Sequence, residues 1–374
     1  MKTQLLIRTC LIFEALSITS FPVSGQEKQT FEQFETRRTD QYASQLENYL
    51  RLYLVEQYGE RASEAWDRDY SSIDAFERSV APNRNRWQTE VIKPPVLTKT
   101  GTLSRQPYTV EGITGEWIEL PLGPITAQAF LAYPAGADRK IPVPLVIAQH
   151  GIGSTPESPY KTGAYNTYAK HLLNAGFAVL APMNLRSVER RNRIERLCRL
   201  ADISLPGIEL ARLQHLLDVV LTDPLIDPER VGMWGVSLGG MATMFWMPLE
   251  PRIKAGVVSA WFNHRRNKMV IPDDRYSCFL VTTEEHAFFS GWLTEFTDHD
   301  VVSLICPRPL LIHHGKLDGI AYWPQVLEEF NIAKTHYEKL KIGNRIEIDI
   351  HEGGHEAIIE SGIRFMTKWL NPGE

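Results

Sequence analysis

Arg230-Val231-Gly232-Met233-Trp234-Gly235-Val236-Ser237-Leu238-Gly239-Gly240 is the stretch on which the reading of this chain turns. An apolar β-type run enters Gly-x-Ser-x-Gly, and helix-compatible sequence follows from Met241. That order suits a tight strand-to-helix turn, which holds a serine at strained backbone angles and presents its hydroxyl above a strand end. Gly235 and Gly239 fit because a Cβ at either place would crowd the turn. The pentapeptide is common by chance. Its setting between strand and helix is what makes Ser237 a candidate nucleophile.

Outward from this turn, short apolar runs alternate with helical patterns. Val143–Ala148, Phe177–Pro182, Val231–Trp234, Ala255–Ala260, Pro309–His313 and Ile346–Ile350 read as buried strands. Tyr165–Ala175, Ile208–Leu221, Met241–Met247, Pro324–Lys341 and Ile358–Leu370 supply the helices between them. Strands with little alternation, spaced by helices, predict an α/β fold: a mostly parallel sheet covered by helices on both faces. Ahead of it, Glu116–Leu120 and Ala127–Tyr133 read as a hairpin around Gly123-Pro124.

Ligands of such sheets bind beyond the carboxyl ends of the strands. Chemistry-bearing residues stand just there. His150-Gly151-Ile152-Gly153 follows the Val143 run, Asp318 the Pro309 run and His355 the Ile346 run. The order Ser237…Asp318…His355 predicts acyl transfer at a serine. His355 would take the hydroxyl proton and Asp318 would fix its tautomer. The N–H groups of Leu238 and Ile152 would receive charge developing on the carbonyl oxygen. His150 and the pair His313-His314 read as structural side chains.

His351-Glu352-Gly353-Gly354-His355 matches the literal His-Glu-x-x-His zinc pattern. Zinc chemistry needs its two histidines one helical turn apart, and two consecutive glycines after a strand disfavour a helix. No metal and no cofactor is therefore expected.

The chain resembles the bacterial dienelactone-hydrolase-like and acetyl-xylan-esterase-like α/β hydrolases. Asp227-Pro228-Glu229-Arg230-Val231-Gly232 before the turn and Cys306-Pro307-Arg308-Pro309-Leu310-Leu311 before the acid carry the likeness, which runs over roughly residues 105–371. The resemblance implies the α/β-hydrolase fold and a metal-free carboxylic-ester hydrolase with nucleophile, acid and base at Ser237, Asp318 and His355. Two positions depart from the pattern. Dienelactone hydrolases use a cysteine where Ser237 stands, and the best-known acetyl xylan esterases place glutamine where Leu238 stands.

Composition narrows the partners. Across 374 residues a net charge of -5 disfavours a general nucleic-acid binder, and 43% hydrophobic with 23% charged residues suits a globular protein. Residues 1–25 read as an export signal: Lys2, an apolar run broken by Arg8 and Glu14, then Val23-Ser24-Gly25. No later stretch is apolar enough for a membrane span. Cys198, Cys278 and Cys306 form no disulfide framework.

Residues 26–95 read as a helical appendage, led by one amphipathic helix from Thr30 to Tyr58, and 96–374 as the hydrolase domain. Ser71-Ser72-Ile73-Asp74 resembles a helix start. About Phe262–Asp300 reads as a lid or pocket wall inserted above the strand ends, with Trp261 and Trp292 either candidate contacts for a sugar ring or part of the insertion's own small core, and Arg265, Arg266 and Lys268 as its charges. Arg186, first of a cluster with Arg190, Arg191, Arg193 and Arg196, is the candidate for a substrate anion, against the competing reading of a solvated helix face paired with Glu189 and Glu195. The expected substrate is a small-molecule or carbohydrate ester. The competing readings are a serine peptidase of the oligopeptidase kind, for whose extra β domain the sequence has neither room nor repeats, and a silent hydrolase fold used for binding.

Overall fold

The apolar runs become the inner strands of one nine-stranded sheet. The computed structural model describes residues 30–371, so the export signal lies outside the described residues. The strands are β1 (Ser104–Val110), β2 (Ile113–Leu122), β3 (Ile125–Ala132), β4 (Val143–Gln149), β5 (Ala178–Pro182), β6 (Ile226–Val236), β7 (Ile253–Ser259), β8 (Leu310–Gly315) and β9 (Ile346–His351). Their order is β1-β2-β3-β5-β4-β6-β7-β8-β9. The first three strands pair antiparallel, as do β3 and β5; from β5 through β9 every pairing is parallel. The α/β-hydrolase architecture expected from the sequence is therefore present.

Strand β1 is an addition to that expectation. Its residues Ser104–Thr109 are exposed at the sheet edge, so no burial pattern marks them in the sequence. Pro107 is tolerated there because an edge strand has one side without ladder bonds.

Helices cover both faces. On one side Leu210, Leu213 and Leu217 of helix Leu205–Val220 and Met241 and Phe245 of helix Leu238–Trp246 enter a large apolar core. On the other, Tyr168 and Leu172 of helix Tyr168–Asn174 and Phe365, Met366 and Leu370 of helix Ile359–Leu370 pack with Trp234. Trp234 thus serves the core from the very strand that delivers Ser237.

The described chain divides into two units between Tyr49 and Leu50. The first unit is carried by helix Phe31–Arg51, on which Phe31, Phe34, Tyr42, Leu46 and Tyr49 are exposed. The single helix expected to Tyr58 is interrupted by a π-turn at Leu52–Glu56, after which Tyr58–Ala65 is helical again. Helix Ile73–Arg86 starts where Ser72, rather than Ser71, accepts the Ala75 N–H at 3.1 Å.

Residues from Leu50 onward belong to the second unit for a physical reason: Phe76, Val80, Trp87 and Ile92 have no exposed surface and lie in its large core. Trp87 donates its indole N–H to the Phe245 carbonyl at 3.0 Å.

Candidate active site

Ser237 follows β6 and stands at the N-cap position of helix Leu238–Trp246 with φ 61° and ψ −122°, a conformation that L-residues avoid. The glycines make it attainable. A Cβ on Gly235 would lie 1.9 Å from the Gly239 carbonyl oxygen, and one on Gly239 would lie 2.1 Å from that of Gln149. The Ser237 N–H is held by the Ser259 carbonyl at 2.8 Å. The turn is thus fixed by its own glycines and by the strand beside it.

The His150–Gly153 turn lies against the serine: a Cβ on Gly151 would meet the Ser237 Cβ at 3.1 Å. Its polar groups are nearly all engaged. Gly151 donates to the Tyr165 hydroxyl at 2.7 Å, and the His150 Nδ1 donates to the Gly151 carbonyl at 2.9 Å. Gly153 donates to the Arg186 carbonyl at 2.7 Å. Among the described backbone hydrogen bonds, the Ile152 N–H has no acceptor. Leu238, as the first helical residue, has an N–H that the helix cannot satisfy. Both expected oxyanion donors are therefore free.

His150 is buried, and burial pushes its imidazole below the ordinary histidine range. Its Nε2 accepts the Asn184 N–H at 3.2 Å, so it is a neutral brace for the turn, as its sequence position suggested.

Asp318 follows β8 and is nearly fully buried; one carboxylate oxygen accepts the Ile320 N–H at 3.1 Å. The other meets His355 Nδ1 at 2.9 Å. A carboxylate only accepts, so Nδ1 carries the proton and Nε2 is left as the basic nitrogen. The His355 side chain is 34% exposed. Among the described residues Ser237 Oγ has no hydrogen-bond partner. The structure brings His355 and Asp318 together and leaves the serine hydroxyl free; such bonds commonly tighten only with substrate in place.

The segment His351–His355 is a strand end followed by a glycine loop, not a helix, so its two histidines do not share a helix face. His351 Nδ1 instead accepts the Gly353 N–H at 3.1 Å.

His313 and His314 are buried on β8. His313 is one link of a donor chain through the core: Trp234 Nε1 to Ser259 Oγ at 3.0 Å, Ser259 Oγ to His313 Nδ1 at 2.9 Å, His313 Nε2 to Ser361 Oγ at 3.2 Å, and Ser361 on to Asp349. Burial holds His313 down at about 3 and His314 at about 4.

The insertion after β7 is a packed wall. Arg265 and Asp298, both with 0% exposed side chains, form a bidentate pair at 2.9 and 2.8 Å. Asp298 also accepts the Asn263 N–H at 2.8 Å, and the Asn263 amide reaches the Ile320 carbonyl at 3.3 Å. Ser277 donates its N–H to the Gly319 carbonyl at 2.9 Å. The insertion therefore grips the turn that carries Asp318.

Its expected charges are used internally. Lys268 donates to Ser277 and is pushed down to about 8, mainly by burial and then by Arg265. Arg266 donates to the Val55 carbonyl at 3.0 Å. Trp292, 2% exposed, stands edge-on to Phe245 at 5.1 Å, and Trp261 lies under the Arg265 guanidinium at 4.3 Å. The two rings thus lie in the large apolar core, where Trp292 meets the helix that follows Ser237.

The arginine cluster separates by burial. Arg191 is a buried partner of Glu209 at 2.7 Å, and Arg196 pairs with Glu285 on the surface. Arg186 is exposed, and none of the described side-chain hydrogen bonds or ion pairs involves it. Its carbonyl is the group that holds Gly153.

Tyr165 and Asn166 escaped the sequence reading, which began a helix at Tyr165; the helix starts at Tyr168. Gly163 and Asn166, both turn formers, were the available signal. The three buried cysteines are free. Among the described residues, no helix is long and apolar enough to cross a membrane.

Comparison with known proteins places this geometry. The chain is 22% identical over 162 residues to the uncharacterised protein YfhR of Escherichia coli O157:H7, a match covering 42% of this chain and 53% of YfhR. It is 25% identical over 234 residues to YitV of Bacillus subtilis, provisionally named an esterase, covering 58% and 84%. The chain thus spans about half the length of YfhR and most of YitV.

Among solved structures, a Bacteroides fragilis protein provisionally named an acetyl xylan esterase superposes with TM-score 0.61 at 17% identity, covering 76% of this chain and 79% of that one. A family 15 glucuronoyl esterase from Caldicellulosiruptor kristjansonii gives 0.58 at 17%, covering 81% and 88%. These likenesses establish the α/β-hydrolase fold. Residues 88–349 match the Abhydrolase family, and with that span covered the chain belongs to it.

Proposed function

We propose that the protein is a serine hydrolase that cleaves carboxylic esters through an acyl-enzyme at Ser237. The observation that carries this reading is the strained Ser237, presented beside an amide-donor turn, in a sheet whose next strand ends supply the 2.9 Å Asp318–His355 pair. Ser237 Oγ attacks the carbonyl carbon while His355 Nε2 takes its proton. Asp318, accepting from Nδ1, stabilises the imidazolium. The Leu238 and Ile152 N–H groups receive the oxyanion, each worth about 3–4 kcal/mol in the transition state. Collapse expels the alcohol with the proton from His355, and water activated by the same imidazole releases the acid.

The substrate we favour is an acyl or methyl ester on a carbohydrate. The names of the glucuronoyl and acetyl xylan esterases and of YitV support an ester, and the exposed Arg186 beside the oxyanion turn suits a substrate carboxylate. We read the chain as exported after cleavage behind Gly25, which the intact mass of the mature protein checks.

A p-nitrophenyl acetate assay on wild type and Ser237→Ala tests the enzyme. Turnover is expected to fall at least about 10⁴-fold in the variant. Equal rates would end the reading. A peptide panel run beside it separates esterase from peptidase, and no turnover of either class leaves a binding fold.

A further inference from the structure

The segment Gly163–Thr167 lies between the oxyanion turn and the histidine loop and bonds to both. On one side the Tyr165 hydroxyl accepts the Gly151 N–H at 2.7 Å. On the other, the Ala164 carbonyl accepts the Ala357 N–H at 2.9 Å. The Asn166 amide donates to Glu356 Oε2 at 2.8 Å and to the Ala357 carbonyl at 3.0 Å. Glu356 turns its other oxygen back onto the Gly354 N–H at 3.2 Å. His355 is thus bracketed: Gly354 before it and Glu356 and Ala357 after it are all tied into one network that ends on Asn166.

The backbone of the segment is under strain. Gly163, Asn166 and Thr167 have φ of 87°, 48° and 54°. The left-handed region is tolerable for glycine and asparagine, but it is a genuine outlier for a β-branched residue. Helix capping does not account for it, because the Thr167 side chain makes no capping bond to helix Tyr168–Asn174. Conformations of this kind persist where surrounding contacts over-determine them, and they gather at functional sites. Here Thr167 is tied to the Lys161 carbonyl at 2.9 Å, while Ala164, Tyr165 and Asn166 before it bond to the two loops.

We propose that Gly163–Thr167 is a clamp that sets the oxyanion turn and the histidine loop in register, with Tyr165 and Asn166 as positioning residues. Tyr165 fixes the His150–Gly151 peptide, next to the Gly151–Ile152 peptide whose carbonyl His150 holds, and so helps to set the aim of the Ile152 N–H. Asn166 fixes the loop that brings His355 towards Ser237. The two loops are about two hundred residues apart in the chain, and five residues span the gap between them. This inference rests on the serine-hydrolase reading above.

The test measures kcat and KM for p-nitrophenyl acetate, the rate of Ser237 labelling by a fluorophosphonate probe, and Tm. Tyr165→Phe and Asn166→Ala are each expected to lower kcat and the labelling rate about 10–100-fold, with KM within about threefold and Tm within a few degrees. Combined, they should cost less than the product of the two, because one segment carries both effects.

A polarity swap is the second line. Asn166→Asp sets two carboxylates against each other and should be the worse single variant. Adding Glu356→Gln restores a donor–acceptor pair and should recover about tenfold in kcat. This arm stands even if Tyr165→Phe fails to fold.

Wild-type kcat in both single variants, losses that only track the folded fraction, or a swap no better than Asn166→Asp would each overturn the clamp. If Ser237→Ala abolishes turnover while Tyr165 and Asn166 variants do not lower it, the clamp alone falls. If Ser237→Ala keeps wild-type turnover, the hydrolase reading falls and takes the clamp with it.

Discussion

The serine turn and the histidine side of the site are built on different principles. Ser237 is held by glycines two residues to either side and by the adjacent β7 carbonyl. His355 and Asp318 sit on loops whose fastenings come from distant segments: Asn166 to Glu356, Ser277 to Gly319 and Asn263 to Ile320. Ser237 is thus positioned by steric necessity in its own pentapeptide. His355 and Asp318 are positioned by hydrogen bonds that a single substitution elsewhere can remove. Activity should therefore be lost abruptly on the serine side and by degrees on the histidine side.

The sharpest probe of the histidine side is Asp318→Asn. It keeps the shape but offers Nδ1 an amide that can stabilise the wrong tautomer, so kcat should fall about 10⁴-fold with little change in Tm. A loss below tenfold in steady-state kinetics would mean that Asp318 does not orient the base.

Next comes Asp298→Ala, which leaves the fully buried Arg265 charged and unpaired. Thermal or urea unfolding should show a loss of about 3–5 kcal/mol. The exposed Arg196–Glu285 pair is the contrast, since Glu285→Ala should leave the unfolding midpoint almost unchanged. If the two variants are equally stable, the insertion is not the support for the acid turn described here.

Acid should weaken the fold ahead of ordinary carboxylate titration. His286, His313 and His314 are held at about 3, 3 and 4 by burial. Native histidines with depressed values stay neutral while the unfolded chain takes up protons below about 6.5. The unfolded state then binds more protons, so stability falls as pH drops from about 6.5 towards 3. Tm measured from pH 7.5 to 4.5 should decline, and His313→Gln should decline less steeply. A flat profile would contradict the neutral assignment.

The smallest effect belongs to the serine side's outer edge. Arg186→Ala should lower kcat/KM for esters bearing a carboxylate by about five- to tenfold relative to neutral esters, as befits an exposed charge. An unchanged ratio removes the anion contact from the proposal, and it leaves the Arg186 carbonyl bond to Gly153 untouched.

The contrast between the two sides also explains what could be read in advance. The elbow was legible because Gly235, Ser237 and Gly239 act on each other within one turn. Asp318 and His355 were legible as residue types just past apolar runs, since a parallel sheet delivers strand ends to one rim. Sequence left open whether Arg191, Arg265 and Lys268 are solvated or paired inside, because a buried pair and a solvated cluster look alike in sequence. It left the rings of Trp261 and Trp292 open similarly, since an aromatic side chain carries no mark of whether it faces a pocket or a core.

Sequence by itself determined the inner strands of the sheet, the serine turn and the order of the three chemistry-bearing residues, because each depends on burial periodicity or on backbone angles within a few residues. Only the tertiary structure decided that residues 50–92 join the large core, that Arg265 finds Asp298, and that Tyr165 and Asn166 stand between two loops. Those outcomes depend on which segments meet across long stretches of chain, and hydrogen bonds of that kind leave no periodic trace in the residues that make them.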